Sequence, residues 1–191
     1  MRTTIVPLLG SLALSISAQA ATYTIDPAHT YPQFEIRHLA FSTLHGQFNQ
    51  TAGKITMDRE KKLGSVEATI QIGSLDTGMP KRDADLLAAQ FFDSTIYPTM
   101  TYKSTKVSYQ GKDRATVEGN LNLHGKSKPV TLHVTRISCG LNPILKKPVC
   151  GFDAWAEIKR SDFGINAYVP AIPDEVKLTI NSDAVEDSAA P

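Results

Sequence analysis

Across residues 65–72 the side chains alternate strictly. Val66, Ala68, Ile70 and Ile72 fall on one face, and Glu67, Thr69 and Gln71 on the other. That is the period of a β-strand with one dry side, and an amphipathic helix cannot present it. Related strand-like runs recur at 22–26, 31–38, 44–48, 53–57, 99–109, 114–123, 130–139, 151–159 and 175–182. The first of them halts at Asp26-Pro27. Gly-containing turns at 110–113 and 124–128 join consecutive runs as antiparallel hairpins. One segment departs from this rule: Pro80 opens a run of helix formers over 81–90, with Leu86, Leu87 and Ala89 on one side and Phe91-Phe92 closing it. These ten runs, read as eight or nine strands with a single short helix, predict an all-β antiparallel fold, a barrel or a sandwich. Closure into an eight-stranded barrel removes edge strands that must otherwise be protected.

The run at 151–159 says something about the interior. Phe152, Ala154, Ala156 and Ile158 share its dry face, so alanines stand where larger residues would fit. With Ala68 and Gly119 they make a light filling, in a barrel size that is either filled by side chains or holds one small ligand. Beyond it, Arg160-Ser161-Asp162-Phe163-Gly164 breaks the alternation, and is read as a tight corner with Phe163 turned inward as a plug.

The amino terminus carries an address. Arg2 precedes an apolar run over 5–16 and the small-x-small sequence Ala18-Gln19-Ala20, the pattern of a cleaved secretory signal over 1–20. The apolar run is too short to span a bilayer, and no cysteine before Cys139 is present to accept a lipid. The expectation is an exported chain without a stable membrane anchor. It comprises a single domain over 21–183 and a frayed polar tail over 184–191. Losing Arg2 takes the formal charge from +1 to zero. That leaves no basic surplus for nucleic acid. The two cysteines, Cys139 and Cys150, flank a loop with two prolines and are expected to form a disulfide worth roughly 3 kcal/mol. The sequence leaves homodimer formation open.

Several short motifs occur in one order: Asp26-Pro27-x-His29-Thr30, Phe34-x-Ile36-Arg37-His38, Gly46-x-Phe48, Asp76-Thr77-Gly78 with Arg82-Asp83, Phe91-Phe92-Asp93, Tyr97-Pro98, Leu121-x-Leu123-His124-Gly125, and Gly151-Phe152-x-Ala154 leading to the 160–164 corner. Together they resemble the YceI family of periplasmic polyisoprenoid-binding proteins, over nearly all of the mature chain. The resemblance implies a periplasmic, lipocalin-like barrel with a long apolar tunnel, whose members are linked to isoprenoid quinones, polyprenyl chains or other long amphipathic lipids. The cysteine pair is not expected as a general feature of that family.

On this reading Phe34, Ile36, Val66, Ile70, Met100, Tyr102, Leu121, Leu123, Phe152, Ala154, Ala156 and Ile158 form the ligand wall, and Leu86, Phe91, Phe92 and Phe163 stand around the mouth. Arg82 and Arg160 either meet a polar head group or pair with neighbouring acids, Asp83 or Asp85 for the first and Asp162 for the second. His38 is a head-group donor or a packed core histidine. No GxSxG, HExxH or CxxCH motif occurs, and the five histidines lack metal-site spacing. The expected function is a non-catalytic carrier with no cofactor other than the long apolar lipid itself. The alternative is a structural or stress-response protein whose barrel is filled by its own side chains.

Overall fold

Alternation builds the strands, and turn chemistry sets where they reverse. The computed structural model describes residues 20–187, so all but the last residue of the signal segment lies outside the described residues, as do positions 188–191. The strands are β1 (Ala21–His38), β2 (Ser42–Phe48), β3 (Thr51–Asp58), β4 (Leu63–Gln71), β5 (Leu75–Asp76), β6 (Thr99–Gln110), β7 (Arg114–Leu123), β8 (Lys126–Leu141), β9 (Pro148–Lys159) and β10 (Glu175–Glu186), with one helix, α1 (Pro80–Leu87). Every pairing is antiparallel. Hydrogen bonding runs β10-β9-β8-β7-β6-β4-β3-β1, and β1 pairs back onto β10. This closes the eight-stranded barrel. Strands β2 and β5 form an annex: β1 pairs with β3 over Ala21 to Thr24, then with β2 over Gln33 to His38.

The structure corrects several boundaries. The runs at 22–26 and 31–38 are one strand, because a bulge between Ile25 and Thr30 absorbs Pro27, which has no N–H for the ladder. Asp26 braces the bulge by accepting the Ala28 N–H at 2.9 Å. The helix stops at Leu87, since Ala88 already has extended angles. The 124–128 turn shrinks to His124-Gly125, both at positive φ (52° and 70°), so Leu123 pairs directly with Lys126. Those are the signs of a primed two-residue hairpin. Residues 184–186 are no tail: Ala184 is fully buried and pairs with both Ile25 and Cys150, which keeps β10 regular to Glu186.

The two ends of the barrel differ. One carries the short β3–β4 and β6–β7 turns and the β8–β9 loop, with Cys139 and Cys150 directly opposite each other and bonded. The other gathers α1, the long β4–β6 and β9–β10 connections and the β1–β2 turn.

Candidate functional site

A cavity of about 690 Å³ lies inside the barrel. It falls within the roughly 300–1,000 Å³ of ligand pockets and is several times the ~150 Å³ of an engineered apolar cavity that stays dry and takes up benzene. Two apolar clusters bound it. Tyr23, Ile25, Ile55, Met57, Ala115 and Ile137 pack at the disulfide end. Phe48, Ile70, Met100, Leu121, Leu123 and Phe163 belong to the cluster at the other end. Val66, Ala68, Val107 and Val134 touch both clusters and line the cavity between them.

Nearly every wall position expected from the sequence lines this space. Phe34, Ile36, Val66, Ile70, Met100, Tyr102, Leu121, Leu123, Phe152, Ala154 and Ile158 do, as do Leu86, Phe91, Phe92, His38, Arg82 and Arg160. Two do not. Ala156 and Phe163 are each 1% exposed and packed in one cluster with Ile165. The corner after β9 brings Phe163 and Ile165 inward, so Phe163 is core and Ala156 packs with it, while Ile158 two residues on still lines the cavity. Gly119 does not leave space either. The Tyr102 ring fills it, and a Cβ on Gly119 would sit 2.6 Å from the Tyr102 Cζ. The Tyr102 hydroxyl donates to the carbonyls of Val117 (2.9 Å) and Val130 (3.1 Å), and burial pushes its pKa upward. Gly46 does the same for Phe34, whose ring lies over it. Phe34 then meets Phe48 at 5.9 Å, and Phe48 meets Phe92 edge-on at 5.7 Å. This aromatic row joins β1 and β2 to the segment after α1.

Further lining residues obey the same period-2 rule without having been singled out. Val130, Leu132 and Val134 on β8, and Val176, Leu178 and Ile180 on β10, all face the cavity. Their alternation is legible in the sequence. Tyr168 and Ile172 are not legible in that way, because they lie on the irregular β9–β10 connection.

Neither arginine has the anticipated acid partner. Arg160, 6% exposed, donates to four backbone carbonyls: Pro173 (3.0 Å), Ile165 (3.0 Å), Ala167 (2.8 Å) and Ile172 (2.9 Å). Its guanidinium folds the β9–β10 connection over the cavity end. Burial lowers its pKa, opposed by the charge of Asp174. Asp174 accepts from the Ser161 N–H (2.8 Å) and hydroxyl (2.6 Å), and the Ser161 hydroxyl bond is the main cause of its lowered pKa. Arg82 donates to the Thr77 hydroxyl (2.8 Å) and carbonyl (2.6 Å), while Asp83 receives the Thr77 N–H (2.9 Å). His38 is half-buried at the β1–β2 rim. Gln33, His45, Asp85, Gln90 and Tyr168 line the cavity yet are exposed, and they mark its mouth. No group of three or more His, Cys, Asp or Glu suited to holding a metal occurs among the described residues.

Polar atoms are scarce deeper in the wall. Thr30, Thr51 and Ser182 are buried there, and the Thr51 hydroxyl has no hydrogen-bond partner among the described residues. An unmade bond of this kind costs about 1–3 kcal/mol.

Comparison with known proteins agrees with this geometry. The YceI-like domain signature matches residues 23–184. The chain belongs to the YceI family. Protein YceI of Shigella flexneri is 38% identical over 173 residues, covering 89% of this chain and 90% of that protein. Among solved YceI structures, that of Campylobacter jejuni superposes with a TM-score of 0.71 at 28% identity, covering 80% of this chain and 91% of that one. A polyisoprenoid-binding domain from Saccharophagus degradans, implicated in plant cell wall breakdown, shares the fold at 18% identity and a TM-score of 0.65, over 86% of this chain and 98% of that one. The barrel fold is thus common ground between this chain and these solved structures.

Proposed function

We propose that this YceI-family protein sequesters a long, uncatalysed apolar guest, an isoprenoid chain of the polyprenyl or quinone type, and carries it outside the cytoplasmic membrane. The single observation that carries the reading is the cavity of about 690 Å³, walled by aliphatic and aromatic side chains and reached from one end. Burying prenyl carbons there contributes roughly 0.8 kcal/mol per CH₂. About eight such carbons outweigh several kcal/mol of immobilisation cost. Non-directional burial tolerates chains of different detail, which suits a carrier better than a catalyst. The polyisoprenoid-binding relative supports the ligand class. The signal-like amino terminus supports the periplasm as the place of work, where a prenyl lipid faces water and needs cover. The open interior speaks against a barrel filled by its own side chains.

Mass spectrometry of an organic extract of the purified mature protein tests this. A stoichiometric prenyl lipid is expected. An empty barrel that also fails to take up added prenyl lipid overturns the reading. Phe92→Asp places a carboxylate among the mouth aromatics and is expected to speed ligand loss more than it lowers Tm.

A further inference from the structure

Five polar or charged residues are buried among those described: Thr30, Thr51, Asp58, Arg160 and Ser182. Asp58 accepts the Lys61 N–H at 2.9 Å, and Arg160 clamps the β9–β10 connection. The other three line the cavity.

Register sets these three at one level on adjacent strands. Thr24 faces Lys54 of β3, which sets Ile25 level with Gly53, and Ile25 faces Ala184 of β10. The bulge then takes five steps along β1 against two along β10, so that Thr30 faces Ser182. Two steps along β3 from Gly53 reach Thr51. The Thr30 and Ser182 hydroxyls lie 2.9 Å apart, and Thr30 also reaches the Asp183 carbonyl at 3.4 Å. Thr51 is 4% exposed and its hydroxyl has no hydrogen-bond partner among the described residues. Ile25 and Ile55 lie towards the disulfide end, and Phe34 and Phe48 towards the mouth. The hydroxyls therefore interrupt an apolar wall at its middle.

No formal charge stands with them. Among the described residues the charged ones lining the cavity are Arg82 and Asp85 on α1 and Arg160 at the corner. Arg82 donates to Thr77, and Arg160 to backbone carbonyls. His38 and His45 sit either side of the β1–β2 turn. An anionic phosphate at this depth would meet hydroxyls without a cation, at a high desolvation cost. A neutral oxygen needs only a donor.

We propose that Thr51, with the Thr30–Ser182 pair, is a hydrogen-bonding subsite for an uncharged oxygen of the guest, a carbonyl or an ether. It rests on the carrier reading above and adds where the guest's polar atom sits. The Thr51 O–H donates to that oxygen. When Thr30 donates to Ser182, the Ser182 proton is free to point the same way.

The test compares two probes on the delipidated mature protein by calorimetric titration: a prenylated benzoquinone, and squalene, an isoprenoid hydrocarbon without oxygen. Thr51→Val removes the hydroxyl and nearly keeps the shape. It is expected to weaken benzoquinone binding by roughly three- to tenfold, to leave squalene affinity unchanged and not to lower Tm. Equal losses for both probes, or an unchanged benzoquinone affinity because water alone serves Thr51, overturn the subsite. Should Thr51→Val fail to fold, Ser182→Ala makes the same comparison. Wild-type protein that binds neither probe sinks the carrier reading itself, and the subsite with it. Wild-type protein that binds both, with variants indifferent to the oxygen, sinks the subsite alone.

Discussion

The disulfide end and the mouth end of this barrel are held by different physics. At the disulfide end, β-hairpins reverse through short turns, and Cys139 is bonded to the residue directly opposite it. Cys150 and Ala184 are fully buried side by side. The reversals there are short, and β1 and β10 pair there from opposite ends of the described chain. At the mouth, order comes from groups far apart in the chain. Arg160 gathers carbonyls as distant as Pro173, and Phe48 reaches Phe92 across the annex. One end is thus closed by short reversals, a disulfide and the β1–β10 pairing, and the other by long connections folded back over the cavity. On the proposed carrier reading, the mouth is where a guest enters and leaves.

The largest expected effect comes from cutting the mouth's central tie. Arg160→Met strips four buried or half-buried carbonyls of their donor, and should cost about 4 kcal/mol in chemical denaturation. Limited proteolysis should then cut first within 165–174. If cleavage instead starts near 139–150, the two ends are not independent. Next comes the disulfide. Replacing Cys139 and Cys150 by Ser should lower stability by about 3 kcal/mol, with prenyl-lipid affinity retained. A matching loss of affinity would show that the sealed end shapes the binding space. A third experiment separates two alanines two positions apart. Ala154→Trp fills the cavity and should reduce lipid uptake at least tenfold with little change in Tm. Ala156→Trp overpacks the core, costing about 1–3 kcal/mol. The reverse pattern would break the assignment of wall and core on β9.

The smallest effect is on pH. The Asp174 carboxylate at the mouth and the Asp58 carboxylate at the opposite end both have pKa values lowered below the ordinary 3.8, each mainly by a hydrogen bond it accepts. A depressed folded pKa stabilises above the unfolded value and is lost as pH falls through the folded one. These two groups should therefore leave Tm flat from pH 7 to 5 and contribute to its fall only below about pH 4. Asp174→Asn should reduce the fall at the mouth, read by proteolysis of 165–174. A fall beginning near pH 6 would point to histidines instead.

How much of this was legible beforehand varies residue by residue. Val66, Ala68 and Ile70 declared their face, because alternation in a closed barrel has only an inside and an outside. The same rule misplaced Ala156. It identifies the inner face and cannot say whether another chain segment covers it. Gly119 looked like empty space, but the ring that fills it belongs to Tyr102 on the neighbouring strand. The arginines were recognisable as important, and their partners were not. Arg160 binds carbonyls, which every residue carries and no sequence pattern marks. The bulge in β1 was read as a strand break, since Pro27 forbids a ladder bond locally while the residues around it still pair with β10.

By itself, then, the chain determined its strand periodicity, its hairpin order, its single helix and the apolar character of its interior. Those follow from side chains one or two residues apart. Only the tertiary structure decided where the interior stays hollow, which arginine closes the mouth and which hydroxyls share a level in the wall. Each of these depends on distances between strands remote in sequence, set by register and closure once the whole barrel has formed.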